Sequence, residues 1–144
     1  MIVAQILKTK ADLGIISVKP DDHVADAVKV LSDKRIGTVI VSADGASLDG
    51  ILSERDVIRE MGARGTACLD EKVSSMMTSK LVTCAPTDTA DSILENMTKG
   101  RFRHMPVVED GTLIGLVSIG DVVKARLSEL SMEKDALEGM IMGH

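Results

Sequence analysis

Two short segments of this sequence repeat one chemistry-bearing spacing. Ser53 and Asp56 stand three residues apart, as do Ser118 and Asp121, within GILSERD (50–56) and GLVSIGD (115–121). A carboxylate accepts two hydrogen bonds at once, so it can hold a pair of neighbouring hydroxyls, and a serine hydroxyl beside it can meet a sugar or a phosphate. For either pair alone the plainer reading is a helix N-cap aspartate and a turn serine. Recurrence in two otherwise diverged copies favours a shared binding role. Arg101, Arg103 and His104, with Lys99 before them, make the densest basic cluster. Arginine presents forked donors to phosphate oxygens, and the plain alternative is a solvated turn. Glu54, Arg55 and Asp56 in a row invite a catalytic role. The second copy reads Ile119, Gly120 and Asp121, so only the aspartate recurs, and no catalytic residue is assigned.

Other chemistries lack their residues. The sequence has no GxGxxG, no Walker A and no GxSxG nucleophile setting. Its three histidines, His23, His104 and His144, and two cysteines, Cys68 and Cys84, fall at no metal-ligand spacing. His23 reads as a surface residue in a first helical turn, His144 as terminal, and the cysteines as small buried thiols in a reducing compartment. With 17 Lys plus Arg against 22 Asp plus Glu, the net charge of −5 repels a phosphate backbone, and one Phe without Tyr or Trp leaves only Phe102 for base stacking. Nucleic-acid binding is therefore not expected. No apolar run approaches a membrane span, and MIVAQILKTKADLG does not read as a signal peptide. A cytoplasmic location is expected.

The elements that must position these residues also repeat. Pro20 and Pro86 lie 66 residues apart, and Val24, Ala27, Val28 and Leu31 recur 66 residues later as Ala90, Ile93, Leu94 and Met97. Each set falls at i, i+3, i+4, i+7, one apolar stripe of a helix. Asp44-Gly45 and Asp110-Gly111 supply matching hairpin turns, and Gly37 and Thr38 stand where Arg103 and His104 do in the second copy. Each copy thus predicts an extended segment (15–18; 81–84), a helix (24–34; 90–99), a strand (38–41; 105–108), a second strand (51–53; 116–118) and a helix opening at Asp56 or Asp121. A break at 62–65 and a short helical stretch at 71–78 separate the copies. The expected divisions are 1–66, a first repeat with its N-terminal segment; 67–80, a helical linker; 81–127, a second repeat; and 128–144, a helical tail. The fold class is α/β, two βαββα repeats that must pack together because neither can bury its stripe alone.

The doubled Gly-apolar-apolar-Ser-x-x-Asp segment, with RFRHMPVVEDGTLIGLVSIGDVVK around its second copy, resembles the cystathionine-β-synthase (CBS) domain, which occurs in tandem pairs. The resemblance spans about residues 2–126. It implies a Bateman-type module, two repeats about a pseudo-twofold axis, with clefts between them for AMP, ATP, NAD(H) or S-adenosylmethionine. It implies nucleotide binding by Ser53, Asp56, Ser118, Asp121, Arg101, Arg103, His104, Gly37 and Thr38, the carboxylates reading the ribose diol and Arg103 with His104 the phosphate. It also implies a non-enzymatic sensor that signals to an enzyme or transporter. Gly37 and Thr38 are small and uncharged, so the two clefts should differ, one being better equipped for phosphate. Met76, Met77 and Met97 add apolar surface that argues for a homodimer. The competing reading is a scaffold protein that binds no ligand.

Overall fold

In the computed structural model, which describes residues 1–10 and 15–142, the first repeat builds a three-stranded sheet from β1 (Ser17–Val18), β2 (Thr38–Val41) and β3 (Gly50–Ser53). β1 runs parallel to β2, with Ser17 opposite Ile40, so the chain must cross over, and α2 (Val24–Lys34) makes that crossing. β3 returns antiparallel, pairing Thr38 with Ser53 and Val41 with Gly50. Val39, Ile40 and Val41 are each fully buried, an unbroken apolar run of the kind found in a strand covered on both faces. Val24, Ala27 and Leu31 are buried beneath it and Val28 is half-buried.

α3 (Glu54–Arg64) passes through Gly62 and stops at Gly65, whose φ of 76° lies in the left-handed region. The break predicted at 62–65 is thus confined to its last residue. A 3₁₀ turn (Thr66–Asp70) and α4 (Val73–Met76) follow. They are more than a linker, because Cys68, Val73 and Met76 are buried in this repeat's core.

The second repeat departs from the first at its start. Only Cys84 of the expected 81–84 strand pairs, as one parallel bridge to Val107, and Val82 is exposed. α5 (Ala90–Gly100) buries Ala90, Ile93 and Met97, and Leu94 is half-buried. β4 (His104–Glu109) and β5 (Thr112–Ser118) form a hairpin closed by Asp110 and Gly111 at φ 51° and 79°, the conformation a tight two-residue turn requires. The corresponding loop of the first repeat is wider. There the Asp44 carboxylate accepts the Ala46 and Ser47 amides at 2.9 and 2.7 Å, which lowers its pKa to about 2.

α1 (Val3–Lys8), adjacent in sequence to the first repeat, bonds instead to the second. Val3 N donates to Asp88 O at 2.8 Å and Ala4 N to Pro86 O at 2.9 Å. Those carbonyls satisfy amides that a helix start leaves open, and Val3, Ile6 and Leu7 are buried. α6 (Ile119–Ile141) closes the chain. Of the described residues, one compact unit therefore contains 1–10, 83–107 and 115–142, and the other contains 15–82 and 108–114. Residues 11–14 of the segment tested as a leader, and His144, lie outside the described residues.

The apolar excess expected of Met76, Met77 and Met97 is not at the surface. Met76 and Met97 are 8% and 1% exposed, and Met77 packs against the core. Most of the exposed large apolar side chains lie along α6 instead, Val123, Leu127, Leu130, Met132, Leu137, Met140 and Ile141, with Ile58 and Val82 elsewhere.

Gly50 opens the first doubled segment for a steric reason. A Cβ there would stand 2.7 Å from the Thr78 carbonyl and 2.8 Å from Met77 Sδ, against the backbone that bridges Ile51 to Thr78. Gly50→Ala should cost about 1–3 kcal/mol, the range for forcing atoms into packed space. Urea unfolding should show a lower midpoint at unchanged slope. An unmoved midpoint would mean that the 77–78 segment gives way freely.

Candidate ligand-binding site

Four amides at a helix start have no carbonyl one turn back, and both doubled segments meet this need in the same way. Ser53 is the N-cap of α3, its Oγ accepting from Asp56 N at 3.2 Å, while Asp56 Oδ2 accepts from Ser53 N at 3.0 Å. Ser118 caps α6, with Oγ accepting from Asp121 N at 3.1 Å and Asp121 Oδ2 accepting from Ser118 N at 2.9 Å. These are reciprocal capping boxes. They correct the sequence reading in one respect: the helices open at Glu54 and Ile119, the serines are the caps, and each aspartate lies within the first turn. The next amide in each helix, Glu54 N or Ile119 N, donates to the carbonyl before the strand, Gly37 O at 2.9 Å or Arg103 O at 2.8 Å. Strand start and helix start are thereby tied in both repeats.

Around this shared frame the side chains differ. In the second repeat Lys10 Nζ lies 2.6 Å from Asp121 Oδ2 and donates to Leu116 O at 3.0 Å. Burial alone would raise the Asp121 pKa, but the Lys10 ammonium and the Ser118 donors outweigh it and hold the carboxyl below its ordinary value. His104 is half-buried at the start of β4, and its pKa is lowered by burial first and by the Lys10 charge next. The Asp121 charge pulls it upward, and Arg103 adds to the lowering. His104, Lys10 and Asp121 thus sense one another. Arg103 is exposed and holds the start of α6 through its carbonyl. Arg101 is the C-cap of α5 at φ 56°, a backbone position it shares with Arg35 at φ 54° on α2. The structure thus assigns Arg101 a helix-ending place, with its side chain at the exposed surface.

In the first repeat Asp56 is buried, and both its oxygens are engaged: Oδ2 also accepts from Ser53 Oγ at 3.0 Å, and Oδ1 from Arg59 Nη2 at 3.0 Å. Thr38 is buried in β2. A Cβ on Gly37 would stand 3.4 Å from Glu54 Oε1, so an acid lies where the second repeat carries Arg103 and Ile119. The charged side chains at the two junctions thus differ, Glu54 and Arg59 at one and Lys10 at the other. Lys10, Glu54 and Arg59 were not foreseen as members of these clusters. Glu54 and Arg59 sit inside or beside the doubled segment, but Lys10 meets Asp121 across 111 residues of sequence. Among the described residues no three His, Cys, Asp or Glu converge on a metal position, and no helix is long and apolar enough to cross a membrane.

The family described as "CBS domain" matches residues 4–63 and 73–128. A mitochondrial CBS domain-containing protein of Arabidopsis thaliana is 36% identical, the match covering 98% of this chain and 72% of that one. The crystal structure of a CBS-domain containing protein from Agrobacterium tumefaciens is similar at a TM-score of 0.81 and 41% identity, covering 87% of this chain and 92% of that one. A CBS domain protein from Pyrobaculum aerophilum, solved complexed with AMP, is similar at a TM-score of 0.77 and 25% identity, over 92% and 99% of the two chains.

The electrostatics of His104 set a pH dependence. A histidine pKa lowered by folding means that the unfolded chain takes up the proton first, so the native state is favoured above the ordinary value of about 6.5 and loses that advantage as pH falls through the lowered one. Between pH 7 and 5 the thermal midpoint should fall further in the parent than in His104→Gln. Equal falls in both would assign the dependence to other groups.

Proposed function

This chain belongs to the CBS-domain family and carries two of its repeats, and from that premise we propose that it is a regulatory module binding an adenosine-containing ligand such as AMP, ATP or NAD(H). The observation that carries this reading is the Asp121 site: a carboxylate fixed at a strand-to-helix junction, with Lys10, Arg103 and His104 about it. A ribose diol needs the first and a phosphate the second. The AMP complex of the Pyrobaculum relative supports the ligand class. The Asp56 junction, with Glu54 beside Gly37, suits a less anionic ligand. Signalling passes to an enzyme or transporter, and the module itself does no chemistry. Two buried, unpaired cysteines, one of them with its thiol pushed up to about 12 by burial and then by Asp88, suit a reducing compartment such as the cytoplasm.

The repeats also associate as a homodimer in this reading, through α6. Val123, Leu127, Leu130, Leu137 and Ile141 follow alternating spacings of four and three residues once Lys134 is counted between Leu130 and Leu137. That is the seam of a two-helix coiled coil, and a single charged seam position is a known way of fixing register. A second copy of the same helix supplies a matching seam. Sedimentation equilibrium at micromolar concentration should give twice the 15.3 kDa chain mass, and Leu130→Asp should return it to one. A monomeric parent overturns the dimer.

Calorimetry with adenosine, AMP and ATP separates the assigned roles. Asp121→Ala should weaken all three at this site by about 1.5–3 kcal/mol, the range for hydrogen bonds to charged groups. Arg103→Ala should spare adenosine while weakening AMP and ATP, less so in added salt. If Asp121→Ala binds all three like the parent, the carboxylate serves only the helix.

A further inference from the structure

We propose that Lys10 makes the second-repeat site selective for anionic adenosine ligands, by competing with the ribose for Asp121 and passing to the ligand's phosphate when it yields. The inference rests on the adenosine reading above and assigns its selectivity to a residue of the N-terminal segment. Asp121 Oδ2 already accepts Ser118 N at 2.9 Å and Lys10 Nζ at 2.6 Å, which fills both lone-pair directions of that oxygen. A diol that spans the carboxylate, one hydroxyl to each oxygen, must therefore take one of these places on Oδ2. Ser118 N belongs to the cap that starts α6 and cannot leave without undoing the helix end. Lys10 can leave, because its ammonium rides on a flexible stem. Its bond to Leu116 O at 3.0 Å keeps it tethered beside the site as it turns.

Displacement has a cost that depends on the ligand. The Lys10 side chain is only 21% exposed, so water replaces the lost carboxylate poorly. Adenosine offers the displaced ammonium nothing. A 5′-phosphate offers it a stronger acceptor, in a cluster where the Arg103 charge already favours an anion. The first repeat lacks this device. Arg59, which holds Asp56 at 3.0 Å, is 65% exposed and can release its carboxylate into water.

The test is the ratio of AMP to adenosine affinity, measured by calorimetry on the full chain for the parent, Lys10→Met and Lys10→Arg. Removing the ammonium should strengthen adenosine binding and weaken AMP, lowering the ratio about tenfold or more, as the loss of one charged hydrogen bond implies. Lys10→Arg should restore most of it. If Lys10→Met melts early, Lys10→Gln keeps a donor for Leu116 and is judged by the same ratio. A parent ratio retained in Lys10→Met, or both affinities falling together, overturns the role of Lys10 while leaving the adenosine reading intact. A parent that binds neither compound overturns that reading, and the role of Lys10 with it.

Discussion

A helix that begins where a strand ends must find partners for its first amides within a few residues, and in both repeats of this chain the partners come from the same three positions. The serine hydroxyl takes one amide, the aspartate returns a bond to the serine backbone, and the carbonyl before the neighbouring strand takes another. None of these bonds is strong alone, since a cap contributes about 1 kcal/mol. Together they fix the direction of the helix relative to its sheet and hold a carboxylate in a half-polar setting. A charged group kept there by local bonding is available for a second use, and at Asp121 the Lys10 ammonium meets it at 2.6 Å. In the proposed reading, binding chemistry is thus layered on a structural necessity rather than added at a separate place.

This double use explains what was legible in the sequence. Helix α2 and strand β2 have the bounds that their apolar periodicity predicts, because stripe and strand both answer to burial, which local sequence records. The spacing of Ser and Asp was equally visible. Which of the two caps the helix was not, since either residue type serves at an N-cap and only the backbone angles decide. The 81–84 strand failed because a single bridge at Cys84 suffices to start the second repeat. The methionines misled for a related reason: Met76 and Met97 are long and unbranched enough to fill the core, so their number says nothing about the surface.

The contact least visible in the sequence is that of Lys10 with Asp121, which depends on where α1 goes. No periodicity marks a short helix that joins the far repeat, because the partners of Val3 and Ala4 are backbone carbonyls, which every residue has. Divergence between the repeats is clearer. Gly37 against Arg103 and Glu54 against Ile119 alter the charge at equivalent positions while the backbone frame is kept. One backbone frame thus carries two electrostatic characters in the two repeats.

The connectivity of α1 also bears on how the chain is made. Its partners, Pro86 O and Asp88 O, and the Glu129 carboxylate that holds the N-terminal amine at 2.8 Å, are translated long after it. The first-repeat sheet, all of it within 17–53, has its strands available early, whereas α1 must keep Val3, Ile6 and Leu7 exposed while more than half the chain emerges. Synthesis proceeds at roughly 5–20 residues per second, so this apolar turn spends seconds on the ribosome without its partner. A chaperone that binds short aliphatic segments has an opportunity there before the later partners are made.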